Sequence, residues 1–188
     1  PGFLCAGFNL VKMNVNISVK IGKLKLKNPV MVASGTFGYA EEFKSFFNIR
    51  KLGAIVTKTV TLKPRLGNYP PRTCETPCGM LNSIGLQNPG LESFLKEKIP
   101  FLKKLKVPVI MSIASQESSC EFVELAKRLN KENAVHALEL NISCPNVAGQ
   151  KSLISQDADA TYKVVSSVRK VTSKTIITKL SHNVTCIS

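Results

Sequence analysis

Short apolar runs alternate along the chain with stretches in which apolar side chains recur every third or fourth position. The runs are Val30-Met31-Val32-Ala33, Ala54-Ile55-Val56-Thr57, Val109-Ile110-Met111, Val135 to Ile142, and Thr175-Ile176-Ile177-Thr178. Continuous apolar character over so few residues predicts strands covered on both faces, as in parallel sheets. The intervening periodicity predicts amphipathic helices over Glu41 to Ile49, Leu91 to Leu105, Glu117 to Leu129 and Asp157 to Val171. Phe43, Phe46 and Phe47 in the first of these are expected in the core. The third presents Phe122, Leu125, Ala126 and Leu129 on one face, and the fourth Ala160, Val164, Val168 and Val171. Ahead of the first strand, Val19 to Leu26 alternates apolar and basic residues about Gly22, which predicts a hairpin with one wet, lysine-rich face. Thr59 to Gly79 is Pro-rich and lacks helical period, and so predicts a long loop of the kind that is usually functional or disordered.

Strand then helix, repeated, is the order of an α/β fold. At the carboxyl end of each strand stands a polar residue suited to chemistry: Ser34, Lys58, Ser112, Asn141 with Cys144, and Lys179. Both a (β/α)₈ barrel and an open doubly wound sheet gather their ligands at that rim. No glycine-rich dinucleotide fingerprint follows the first strand, which weakens the second alternative. Pro145 has no N–H to give a ladder, so the strand containing Asn141 ends near Cys144. A thiol there, between Asn141 and Asn146, is a candidate acid/base or nucleophile; the competing reading is a small buried cysteine.

Composition narrows the classes. A chain of 188 residues, 44% apolar and 20% charged, is most simply one domain with a substantial core. Lys and Arg total 26 against 12 Asp and Glu, a balance of +14. The lysines are scattered, there is no Trp, and no nucleic-acid-binding signature appears, so an anionic substrate or an acidic protein partner is expected and nucleic acid is not. The cysteines form no secreted framework and no signal-peptide pattern precedes them, which predicts reduced thiols in a cytoplasmic protein. Cys74-x-x-x-Cys78 supplies only two ligands, with His136 and His182 at unrelated spacings, so no metal site is expected. No apolar run approaches the ~18 residues that a membrane helix needs.

Asn-Ile-Ser-Cys-Pro-Asn at 141–146 resembles the catalytic loop of the class 1 dihydroorotate dehydrogenases, FMN-dependent barrels. Four further blocks resemble the same family in order: Asn28 to Thr36, Thr57-Lys58-Thr59, Asn82 to Gly90, and Lys179. The similarity runs from about Asn16 to Thr185. Residues 1–12, apolar until Lys12, match nothing in the family and are expected to lie outside the fold, with Met13 a natural start; residues 13–188 are then a partial barrel. The resemblance implies oxidation of (S)-dihydroorotate to orotate in pyrimidine biosynthesis, with Cys144 as the base and a hydride passing to FMN. It implies flavin contacts from Ser34, Lys58, Thr59, Ser112, Asn141 and Lys179, and substrate contacts from Lys58, Asn82, Ser83, Ile84, Gly85, Leu86 and Asn141. Amides suit the substrate ring, because one Asn supplies both a donor and an acceptor to its urea-like edge.

Cysteine at the base position, without a helical membrane-binding extension, and the wording from Glu75 to Gly90 resemble the NAD-linked subgroup. Its catalytic subunits work with a partner subunit carrying FAD and a 2Fe-2S cluster, so a homodimeric core or a heterotetramer is implied. A barrel of this type needs about 250 residues, whereas only five βα units can be counted here. Ser112 stands where many relatives have asparagine, Ser115 and Gln150-Lys151 replace glycines, and the closing Ser181 to Ser188 leaves the family pattern. Other readings stay open: an inactive half-barrel remnant, a uracil-type pyrimidine reductase lacking its iron-sulfur segments, and a basic nucleic-acid-binding module.

Overall fold

The computed structural model describes residues 15–143 and 153–184. The expected extension, Cys144, Asn146 and Gln150-Lys151 therefore lie outside the described residues. The chain opens with an antiparallel hairpin, β1 (Val19–Ile21) and β2 (Leu24–Leu26), turning at Gly22 with φ 55°. Strands β3 (Ile55–Val56), β6 (Val109–Ile113), β7 (Ala137–Asn141) and β8 (Thr175–Lys179) then form one parallel sheet in that order. A parallel bridge from Met31 to Ala54 adds the first predicted strand at the β3 edge. A second hairpin, β4 (Thr73–Thr76) and β5 (Gly79–Asn82), stands apart.

Register decides which side chains share a face, because residues paired across parallel strands point the same way. Met111, Leu138 and Ile176 are in register, as are Ile113, Leu140 and Thr178. This face carries the main core, packed against α1 (Gly90–Ser93), α2 (Ile99–Leu102), α3 (Cys120–Asn130) and α4 (Ala158–Arg169). The opposite face presents Ile110 level with Ala137 and Thr175, then Ser112 with Glu139 and Ile177, then Asn141 with Lys179. Leu24 and Leu26 of the first hairpin close its amino-terminal end over Ala54, Val56, Ile110 and Ala137, and Lys23 N–H donates to Thr175 Oγ1 at 3.2 Å. Each strand is added on the same side of the last and the main core lies on one face, so the winding is single, unlike a doubly wound sheet. Among the described residues the sheet stays open.

Several expectations are corrected. The first strand is not covered on both faces: Val30 is 58% exposed and Met31 39%, because this strand is an edge of the sheet. Glu41 to Ile49 forms no α-helix, only 3₁₀ turns at Glu41–Phe43 and Ile49–Lys51. Phe46 is 80% exposed and Phe47 is also exposed, while Phe37 takes the buried position and stacks on Phe43. The predicted helix from Leu91 runs from α1 through a π turn (Phe94–Lys98) into α2, ending near Leu102. Pro100 has no N–H for the regular ladder, and Ile99 N–H bonds back to Phe94 O instead. The loop expected over Thr59 to Gly79 contains β4, whose residues are all exposed and so carry no alternating apolar signature. Helices α3 and α4 agree with their predicted faces, and Asp157 Oδ1 caps α4 by accepting from Ala160 N–H at 2.9 Å.

Candidate active site

The carboxyl ends of the strands and the loop after β5 enclose a cleft of about 740 Å³. Ser34, Lys58, Thr59, Asn141 and Lys179 line it from the sheet side, and Asn82 at the end of β5 with Ser83, Ile84, Gly85 and Leu86 of the loop from the other. Lys58 and Lys179 thus face one cleft although they are 121 positions apart in the chain. Ser112 is the exception among the predicted residues: it is fully buried beneath the lining. Cys144, the predicted base, lies outside the described residues.

Lys179 comes from the end of β8 and Ser34 follows the opposite edge of the sheet. Even so, Lys179 Nζ donates to Ser34 Oγ at 2.9 Å. The sheet must curl for its two edges to be joined by one side-chain bond. Lys58 is half-buried, and its backbone N–H is held by Gly38 O at 2.8 Å. Burial lowers its pKa, the Arg72 charge adds to that, and Glu42 opposes it. A cation held with its solvation reduced responds strongly to an incoming anion.

Asn141 sits on the floor at 8% exposure. Its Nδ2 donates to Thr59 Oγ1 at 3.1 Å, its Oδ1 accepts from Ser143 Oγ at 3.0 Å, and Thr59 Oγ1 lies 2.9 Å from Ser112 Oγ. These bonds leave Asn141 one N–H and one carbonyl lone pair for a ligand.

The loop from Leu66 to Asn88 is braced by residues that sequence reasoning did not single out. Arg72 donates to Asn68 O at 2.6 Å, Gln87 Oε1 at 2.6 Å and Leu66 O at 3.0 Å. Asn68 Nδ2 bonds Ser83 O and Ser83 Oγ, and Asn68 also lines the cleft. Gly67-Asn68 could have been read as a turn from its residue types, whereas nothing in the sequence marks Arg72 as a clamp. Gly85, at φ 74°, must be glycine: a Cβ there would meet Asn68 Oδ1 at 2.6 Å. Asn88 is buried, and its amide is occupied by Thr61, Leu86 O and Gly90 N–H, so it fastens the loop to the body of the protein. Met80, Gln87, Gly35 and Thr36 complete the lining.

Among the described residues no group of His, Cys, Asp and Glu could hold a metal ion, and no helix is long and apolar enough to cross a membrane. Cys74, Cys78 and Cys120 are exposed and free.

The chain is 52% identical over 174 residues to "dihydroorotate dehydrogenase B (NAD(+)), catalytic subunit" of Carboxydothermus hydrogenoformans, covering 93% of this chain and 56% of that protein. The proteins of the same name from Trichlorobacter lovleyi and Thermoanaerobacter pseudethanolicus are 50% and 47% identical, over 93% and 90% of this chain and 57% and 56% of theirs. The chain thus spans about half the length of these curated relatives. The profile of the dihydroorotate dehydrogenase family matches residues 16–188. With that match and relatives at about half identity, the chain belongs to the dihydroorotate dehydrogenase family of oxidoreductases.

Proposed function

We propose that this chain forms the first five βα units of a (β/α)₈ barrel that oxidises (S)-dihydroorotate to orotate in cytoplasmic pyrimidine biosynthesis. The observation that carries the reading is the convergence of Lys58, Asn141, Lys179, Ser34 and the Asn82 to Leu86 loop on one cleft. Its volume is in the range of about 300–1,000 Å³ typical of small-molecule sites.

The lining suits FMN and a carboxylated pyrimidine. Gly35, at φ 89° with open space where a Cβ would stand, allows backbone to approach a flat ring. Ser34, Lys58, Thr59, Asn141 and Lys179 would hold the flavin. When bound, FMN supplies the acceptor for the hydride leaving C6 of the substrate. Lys58 attracts the substrate carboxylate, and Asn82, Asn141 and the backbone from Ser83 to Leu86 orient the ring. Lys179 supplies positive charge at the rim, which favours a more anionic ligand. Cys144 takes the proton from C5; an ordinary thiol has a pKa of about 8.5, so the reaction quickens as pH rises towards that value unless the loop lowers it. A partner subunit with FAD and a 2Fe-2S cluster would supply the route for electrons to NAD, in a homodimeric core or heterotetramer.

Purified protein is expected to be yellow after addition of FMN and to bleach with dihydroorotate. Cys144→Ala is expected to keep the flavin and lose about 10²- to 10⁴-fold in bleaching rate, the usual worth of a positioned base. A bleaching rate unchanged in that variant would remove Cys144 from the reaction. A second reading, an inactive remnant, is favoured by a sheet that stays open among the described residues. A sample that stays colourless with FMN would select it.

A further inference from the structure

Two neighbours in the chain, Lys58 and Thr59, both line the cleft. In a regular strand consecutive side chains point to opposite faces, so only one of the two could do so. The hydrogen bonds account for the exception. Thr57 N–H donates to Ile110 O at 3.0 Å, and the next bond in that direction runs from Val60 N–H to Ser112 O at 3.0 Å. The extension of β3 thus advances from 57 to 60 while β6 advances only from 110 to 112. The extra residue makes a β-bulge, a feature that re-aims side chains beside functional sites. Lys58 N–H, turned out of the ladder, is taken by Gly38 O at 2.8 Å. Pairing resumes beyond the bulge, with Val60 bridged to Ile113 and Ala114 N–H on Val60 O at 3.1 Å.

A bulge deprives ladder groups of their regular partners. In an unbroken parallel pair, Ser112 N–H would donate to the Thr57 carbonyl. Here it donates to Thr57 Oγ1 at 3.3 Å. Thr57 is fully buried, and its own hydroxyl proton goes to Met111 Sδ at 3.2 Å. Both directions are fixed, because a backbone N–H only donates and a thioether only accepts.

We propose that Thr57 is a positioning residue: its hydroxyl, standing in for a ladder carbonyl, holds the bulge that turns both Lys58 and Thr59 into the cleft. Thr57 itself does not line the cleft. Without the hydroxyl, the acceptor that remains for the buried Ser112 N–H is the Thr57 carbonyl, and reaching it removes the bulge. Alternation then returns. Ala54 and Val56 share the inner face, so Lys58 stays on it and Thr59 turns away from Asn141, whose Nδ2 now donates to Thr59 Oγ1 at 3.1 Å.

The test compares Thr57→Val, which keeps the volume and removes the hydroxyl, with Thr57→Ser, which keeps the hydroxyl. Amide exchange and nuclear Overhauser contacts are read in the free protein. In the wild type and in Thr57→Ser, the Val60 amide is expected to be protected and the Asn141 side-chain amide to contact the Thr59 methyl. In Thr57→Val that contact is lost, and protection passes from Val60 to Thr59, with Val60 exchanging roughly tenfold faster relative to β7, the scale of one lost hydrogen bond. Poorer core packing alone would speed β7 equally. An unchanged pattern in a folded Thr57→Val protein, or the same loss in Thr57→Ser, overturns the proposal. So does the absence, in the wild type, of an Overhauser contact between the Ser112 N–H and the Thr57 side chain. The consequence for binding rests on the flavin reading above: Thr57→Val is expected to weaken FMN roughly tenfold, and Thr57→Ser to leave it unchanged. If exchange and contacts change as expected while the wild type binds no flavin, the flavin reading fails and the assignment of Thr57 stands.

Discussion

A single side chain away from the cleft illustrates how tertiary surroundings set protonation. His136 precedes β7, and Val109 N–H donates to its Nδ1 at 3.1 Å, a bond that requires an unprotonated nitrogen. Partial desolvation of the ring, one side of which still meets solvent, and the nearby Lys174 charge hold its pKa below the usual value of about 6.5, against backbone hydrogen bonds that raise it. Below pH 6.5 the unfolded chain takes up a proton at this position before the native state does. Stability therefore falls as the pH drops from 6.5 to the lower native value and levels off beneath it. In denaturant titrations across that window, His136→Asn is expected to flatten this part of the pH dependence. An unaltered slope in the variant would show that other groups carry it.

At the scale of elements, the loop that walls the cleft depends on Asn88. Its side chain links Thr61, Leu86 and Gly90, tying the end of the loop to the extension of β3. Asn88→Ala strands the Thr61 and Gly90 N–H groups and is expected to lower stability by about 1–3 kcal/mol. Faster amide exchange should be confined largely to residues 61–90, with the core strands protected as before. Exchange that rises equally in β7 would mean that the loop and sheet open together. Asn88 was legible as a polar residue in a family-like block, but its use was not: the fold spends it on a clasp. The strands β6, β7 and β8 and helices α3 and α4 were readable because burial imposes their periodicities. The 3₁₀ turns at 41–51 and the β4–β5 hairpin were not, because exposed segments are free of that constraint.

For the whole molecule, the consequence of a sheet that stays open among the described residues is exposure at its two edges. Val30 and Met31 stand at one and Leu180 follows the other, itself 60% exposed. Unpaired strand edges with apolar neighbours template association, while a net charge of +14 opposes it. The 188-residue polypeptide is therefore expected to sediment as a larger species as salt rises to roughly 0.5 M, where like charges are screened. Val30→Lys should suppress the shift by placing charge on the edge. A salt-independent monomer at every concentration would contradict this account of the edges.

The order of strands and helices, the placement of polar residues at strand ends and the family blocks were all carried by the sequence, since each is a property of neighbours along the chain. The joining of Lys179 to Ser34, the shared cleft of Lys58 and Lys179, and the burial of Ser112 beneath Asn141 were decided only by the tertiary structure. Those relations depend on how far the sheet curls and how its strands are registered. Both come from packing between segments well separated along the chain, which no local pattern specifies.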